Sequence, residues 1–260
     1  MALLDQDPHL VDTLKIGPWL DLEQMQWLAA TYPILLHCHD GVVQPQLNAP
    51  QLAGWVEQTA PPWLSLHLGL PEHNPYLFWQ RTGIRWPLVN QRKATIAALR
   101  NLEALHRVIH VPIALENQAH HRHSGHDYLV SPLFIKEIVE KGNTHLLLDL
   151  GHVRVSAAMR HETPESYLDQ LPLEHVIEIH VSGPALYRGR LRDLHHPLTA
   201  VDYDLLRYTL TRCSQLKAVT LEYYGPVEIL RDQLHQLRQF IPPSPSPSNH
   251  SEQVRLPSHR

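Results

Sequence analysis

The stretch HLLLDLGHVRVSA (145–157) decides the fold. Its apolar run stops at a carboxylate, Asp149, and a histidine, His152, follows three residues later. The same punctuation recurs along the chain. ILLH ends at His37, LSLH at His67, IALE at Glu116, IEIH at His180 and VTLE at Glu222, while RDLH carries Asp193 and His195. Short, almost continuous apolar runs are what strands buried on both faces require. Between them lie longer amphipathic stretches such as SPLFIKEIVEK and VEILRDQLHQLRQF, and this alternation is the signature of βαβ units in a parallel sheet. Strands are expected at 11–16, 33–37, 63–67, 112–116, 145–149, 175–180 and 218–222. The expected fold is therefore an α/β, TIM-type (β/α) barrel, with an incomplete or cryptic strand near the N-terminus because the count reaches seven.

In such a barrel the C-terminal strand ends converge on one face, where active sites are built. Convergence would gather His37, His67, Glu116, Asp149, His152, His180, Asp193, His195 and Glu222. A single histidine or glutamate closing a strand is more often packing than function; the repetition is what carries weight. Each carboxylate withdrawn from water costs several kcal/mol unless paired, and four together repel one another. No lysine or arginine is read at the strand ends to offset them. Two or three divalent cations would, with the neutral imidazoles as further ligands.

The remaining sequence narrows the class. At 260 residues, with 43% hydrophobic content, one large domain over 1–241 is expected. A net charge of -4 lacks the basic footprint of a nucleic-acid binder, so such a partner is not expected. Cys38 and Cys213 form neither a disulfide framework nor a C-x-x-C site. The start, MALLDQDPHLVD, does not read as a signal peptide, and no apolar stretch approaches a membrane span, so a cytoplasmic protein is expected. The segment 242–260, PPSPSPSNHSEQVRLPSHR, reads as a disordered tail. The stretch 68–87 leaves the His67 strand end and reads equally as a lid or as packing across the barrel mouth. HHRHSGH (120–126) reads as a solvated loop rather than a second site, and YRGRLRD (187–193) reads equally as a solvated loop or as one whose Arg188, Arg190 and Arg192 grip a substrate phosphate or carboxylate.

LLLDLGHVRVSA (146–157), EIHVSG (178–183), RDLHHP (192–197) and ALEN (114–117), in that order, resemble the multinuclear non-haem iron-dependent oxidative enzymes. ILLHCHDG (34–41) and LSLHL (64–68) look like that family's two histidine strands. The resemblance implies a TIM barrel holding two or three irons and using dioxygen. It also implies a ribosomally made peptide as substrate, with cysteine the usual target, and a peptide-binding partner protein. Carried over by motif, the metal ligands are the same nine residues. The chain departs from the pattern at His152, where many members have asparagine, and at Cys38, where glycine is usual. With His152 the set is also similar to the trinuclear zinc site of endonuclease IV-type abasic-site nucleases.

Nitrogen and oxygen donors alone suit iron, zinc or manganese. Redox-active iron would support oxidation of a peptide side chain or small thiol. Zinc or manganese would support a hydrolase or isomerase that activates a bridging water. A third reading is a barrel that keeps metal for structure and binds a partner without turnover. EIHVSG and the acidic balance favour oxidation.

Overall fold

A computed structural model of the chain describes residue 7 and residues 9–69, 89–119 and 126–241. Seven parallel strands form one sheet in chain order: β1 (Leu14–Ile16), β2 (Ile34–Gly41), β3 (Leu64–His67), β4 (Ile113–Glu116), β5 (His145–Asp149), β6 (Val176–Val181) and, last, β9 (Ala218–Leu221). A separate antiparallel hairpin joins β7 (Gly183–Tyr187) to β8 (Arg190–His196). The sheet curls into a nearly closed barrel, with β1 and β9 as its two edges. Helices α1 (Leu22–Thr31), α2 (Ala49–Thr59), α3 (Gln91–His106), α4 (Pro132–Lys141), α5 (Leu150–Arg160), α6 (Pro164–Leu168), α7 (Ala200–Leu210) and α8 (Val227–Arg238) alternate with the strands. Every strand expected from the apolar runs is present, and the described residues contain no eighth in this sheet.

Period-two alternation sorts the strand residues. Leu36, Leu64, Leu66, Leu115, Leu146, Leu148 and Ile179 point outward into the large core shared with the helices. Leu35, Trp63, Ala114, Leu147 and Ile177 form a smaller apolar cluster inside the barrel. Full burial of such a side chain contributes about 1.5–3 kcal/mol, so both faces hold the cylinder together. Further along the same inward-facing rows come His37, His67, Glu116 and Asp149, while in β6 a register shift opposite Leu146 and Leu147 moves the inward row to Glu178 and His180; the register sets His67 opposite Glu116 and Asp149 opposite His180.

Two elements differ from the sequence reading. The amphipathic stretches did not single out the residues after Asp149, yet α5 begins at Leu150, with Asp149 as its N-cap accepting from the His152 N–H at 2.6 Å. The carboxylate satisfies an orphan donor of the first turn, which lets a strand become a helix without a loop. The second difference is YRGRLRD, which is a hairpin and not a loop. Arg188 and Gly189 both have positive φ (50° and 74°) between paired Tyr187 and Arg190, the two-residue connection whose twist matches antiparallel strands. Two helices start at a hydroxyl residue followed by proline, Ser131-Pro132 and Thr163-Pro164, but only Thr163 caps, accepting from Ser166 N–H at 3.1 Å. The expected lid at 68–87 falls mostly outside the described residues, as do His120, His121 and His123 and the tail 242–260. No helix among the described residues is long and apolar enough to cross a membrane.

Candidate metal centre

The nine residues singled out above meet at one end of the barrel as an unbroken chain of contacts. His37 Nε2 lies 3.2 Å from His67 Nε2, and the two are 3.4 and 3.0 Å from Glu116 Oε2. The other oxygen of Glu116, Oε1, lies 3.5 Å from His180 Nδ1 and 3.7 Å from His152 Nδ1. His180 Nδ1 is 2.9 Å from Glu222 Oε1 and 3.9 Å from Asp149 Oδ2. Glu222 Oε2 accepts from or faces His195 Nε2 at 3.0 Å, and Asp193 Oδ2 sits between His195 Nδ1 (3.5 Å) and His152 Nε2 (3.3 Å). Glu116 and Glu222 thus each turn their two oxygens toward different histidines.

Neighbouring groups fix which ring nitrogens face inward. Ser65 Oγ donates to Leu36 O, so its lone pair is left to accept from His37 Nδ1–H at 3.0 Å, and Nε2 faces the centre bare. Burial, then Lys15 and the other imidazoles, push His37 well below the ordinary imidazole value against the pull of Glu116, so it is a neutral donor. His152 Nδ1–H donates to Asn117 O at 2.7 Å, which presents Nε2 to Asp193. Asn117 also exchanges side-chain bonds with the Asp149 backbone at 2.8 and 3.1 Å, clamping the ends of β4 and β5. His195 has φ of 51°, a conformation that costs energy for a residue with a Cβ and clusters at functional sites. There it lets β8 aim both Asp193 and His195 at the centre.

The electrostatics favour positive charge among these donors. Glu116 Oε2, Asp149 Oδ2 and His180 Nδ1 are buried and have only the ion-pair contacts above, with no well-formed hydrogen bond among the described residues. Burial pushes the Asp149 carboxyl up to about 7, with Glu116, Glu222 and Asp193 adding to the effect against His152. Burial also opposes charge on His152, but Asp149, Asp193 and Glu116 hold it well above its usual value. His180 behaves alike: burial and Lys15 oppose its charge, and Glu222, Glu116 and Glu178 outweigh them. The raised values of His152 and His180 show how strongly the clustered carboxylates favour positive charge at this end of the barrel. Orphaned donor atoms, nitrogen and oxygen chemistry and unbalanced acids together fit a cluster of divalent ions.

The sequence reading missed two contributors. Lys15 on β1 was passed over, although its Nζ lies 2.5 Å from Glu178 Oε1 and 2.6 Å from His180 Nε2. The expectation that no cation serves the strand ends is corrected on this point. Glu178 further accepts from Trp63 Nε1–H and Thr220 Oγ1–H, both at 2.8 Å. The second is His39, two residues beyond His37 on the same strand face; one ring nitrogen each of His37, His39 and His67 lie within 4.8 Å of one another. Arg188 and Arg190 stand exposed at the hairpin tip, with Arg188 5.3 Å from the Tyr187 ring centroid.

Residues 19–241 match the family model described as RiPP precursor modification enzyme MbnB/TglH/ChrH, which covers the barrel from before α1 to the end of the described chain. The chain belongs to the MbnB/TglH/ChrH family. A UPF0276 protein of Bordetella pertussis is 31% identical over 203 residues, spanning 72% of this chain and 67% of its own. One from Caulobacter vibrioides is 26% identical over 211 residues, spanning 75% and 72%. Among solved structures, a D-psicose 3-epimerase from Clostridium cellulolyticum H10 aligns over 92% of this chain and 91% of its own, at TM-score 0.60 and 10% identity. A xylose isomerase-like TIM barrel protein from Mycobacterium smegmatis, in complex with magnesium, aligns over 92% and 86% at TM-score 0.59 and 14% identity. These structures share the fold. All nine clustered residues lie inside the span matched to the MbnB/TglH/ChrH model, whereas Lys15 precedes it.

Proposed function

We propose that this member of the MbnB/TglH/ChrH family is a two- or three-iron oxidative enzyme that uses dioxygen to modify a side chain, cysteine foremost, of a ribosomally made peptide or a small thiol. The observation that carries the reading is the double-faced placement of Glu116 and Glu222, which divides the donors into adjoining groups. His37, His67 and Glu116 would hold one ion. Glu116, Asp149, His180 and Glu222 would hold a second, and His152, Asp193, His195 and Glu222 a third. When bound, iron would supply electrons for dioxygen and an anchor for a substrate thiolate.

The chain's own residues prepare that chemistry. Ser65 and Asn117 keep His37 and His152 in the tautomers that leave a lone pair inward. Burial of Glu116, Asp149 and His180 excludes water and strengthens every charge contact. Loading cations would release the protons now held on His152, His180 and His195, so uptake should rise with pH. A partner protein would present the peptide, and the chain would act in the cytoplasm.

Protein made with iron and purified without oxygen should retain two or more irons per chain, with Mössbauer signals that change on adding oxygen and substrate. Retention of zinc alone, after anaerobic reconstitution with iron, would count heavily against oxidation. That outcome would favour a zinc or manganese hydrolase or isomerase, a reading His152 supports by adding an imidazole beside the acid-rich donors. Nicking of abasic-site DNA and a phosphodiesterase panel test it.

Arg188 and Arg190, exposed beside Tyr187, would bind acidic groups of the substrate. Reversing both charges (Arg188→Glu with Arg190→Glu) should raise KM about tenfold with a much smaller change in kcat, because exposed contacts contribute mainly uniform binding. An unchanged KM would remove them from the substrate path.

A further inference from the structure

The groups proposed to hold ions differ in one respect that the nine residues leave unexplained. His37 and His67 are buried, whereas His39 is exposed and covers them from the solvent side. Positions i and i+2 of a strand share a face, so His39 follows His37 toward the barrel mouth while Cys38 turns into the outer core. The β2–β3 register slips between Cys38 and Gly41, the span that contains His39. Its ring stacks on His67 with centroids 5.1 Å apart and an interplanar angle of 21°, and it also meets Trp19 at 5.2 Å and 31°. A ring nitrogen of His39 lies within 4.8 Å of its counterparts on His37 and His67. Two imidazoles and Glu116 Oε2 would leave a divalent ion one donor short of a tetrahedral set.

We propose that His39 is the fourth donor of the His37–His67–Glu116 position and closes it, so that the ion there is structural and the substrate meets only the ions on the acid-rich side. Protein sites with four donors hold metal for structure; those with three keep a position for water or substrate. The inference rests on the reading of the cluster as a metal centre. It assigns different duties to ions that the nine-residue set treats alike. Three imidazoles and one carboxylate also suit a borderline divalent cation better than a hard, oxygen-seeking one. Ring contacts with both Trp19 and His67 restrict the His39 side chain, which limits the ordering cost of recruiting an exposed side chain.

The test uses cobalt(II) alone, loaded without oxygen into the full chain and then challenged with a chelator. The unsubstituted protein should keep one ion per chain, with the strong visible absorption of four-coordinate cobalt, after the others are stripped. His39→Ala should bind that ion about tenfold or more weakly, and free imidazole should restore both retention and absorption. His39→Phe, which keeps the ring stack but has no donor, should behave like His39→Ala. Unchanged retention in His39→Ala, or full retention in His39→Phe, would overturn the proposal and leave His39 a packing residue. Failure of the unsubstituted chain to take up any cobalt would instead overturn the metal-centre reading, and this inference with it.

Discussion

Replacing Glu116 by alanine is expected to abolish turnover and to lower metal affinity about 100-fold at two positions at once, not one. The reason is geometric. Oε2 faces His37 and His67 while Oε1 faces His180 and His152, so a single truncation removes a donor from both sides of the cluster. Metal analysis after equilibrium dialysis reads the loss as more than one ion per chain. The metal-free fold should survive. Removing Glu116 gives up its contacts with His67 and His180 but lessens repulsion with Asp149 and Glu222, and the two effects offset each other. Glu116→Gln, which keeps the volume and one acceptor oxygen, should retain more metal than the alanine variant. Collapse of the apo fold on this truncation, with no reaction detectable in the parent, would point instead to a barrel that uses metal only for structure.

The second large effect belongs to Lys15. Its ammonium is nearly buried and pairs with Glu178, which is fully buried and lies beneath His180. Burial alone would raise the Glu178 carboxyl; Lys15 and His180 overcome it and hold the group well below the usual carboxylate range. Lys15→Met should leave that charge without its cation and cost about 3–5 kcal/mol. For a domain of this size such a loss lowers Tm by roughly 10 °C, read by thermal denaturation of the metal-free protein. Neutralising the partner as well, in Lys15→Met with Glu178→Gln, should recover most of the loss. Trp63 and Thr220 would still hydrogen-bond the amide oxygen. If the single variant melts within about 1 °C of the parent, the pair contributes no more than an exposed one would.

The two cases mark where the sequence was legible. Strand ends such as IALE and IEIH could be read because each apolar run is local and its terminating residue stands out within it. The sheet order follows from alternation with helices, so convergence of nine side chains follows from topology alone. Lys15 was invisible for the opposite reason. It interrupts the run VDTLKI, and its partner lies 163 residues away on β6, a pairing no local window contains. The α5 helix was missed because Gly151, Val153 and Val155 are weak helix formers, and the fold overrides them with the Asp149 cap. The hairpin was missed because arginines around Gly189 resemble solvated loop. His39 could have been found: period two places it beside His37, and only the habit of taking one ligand per strand hid it.

The β7–β8 ribbon has a consequence of its own. Along β8 the residues alternate, with Leu191, Asp193 and His195 sheltered and Arg190, Arg192, Leu194 and His196 exposed. One short two-ply lever therefore carries two centre-facing groups on its inner side and cationic groups on its outer side. Anything that pulls on the outer side strains Asp193 and His195, and whatever grips those two must stiffen the ribbon against a visitor. By reciprocity, the charge reversal at Arg188 and Arg190 should change substrate affinity by a different factor in ion-loaded and ion-free protein.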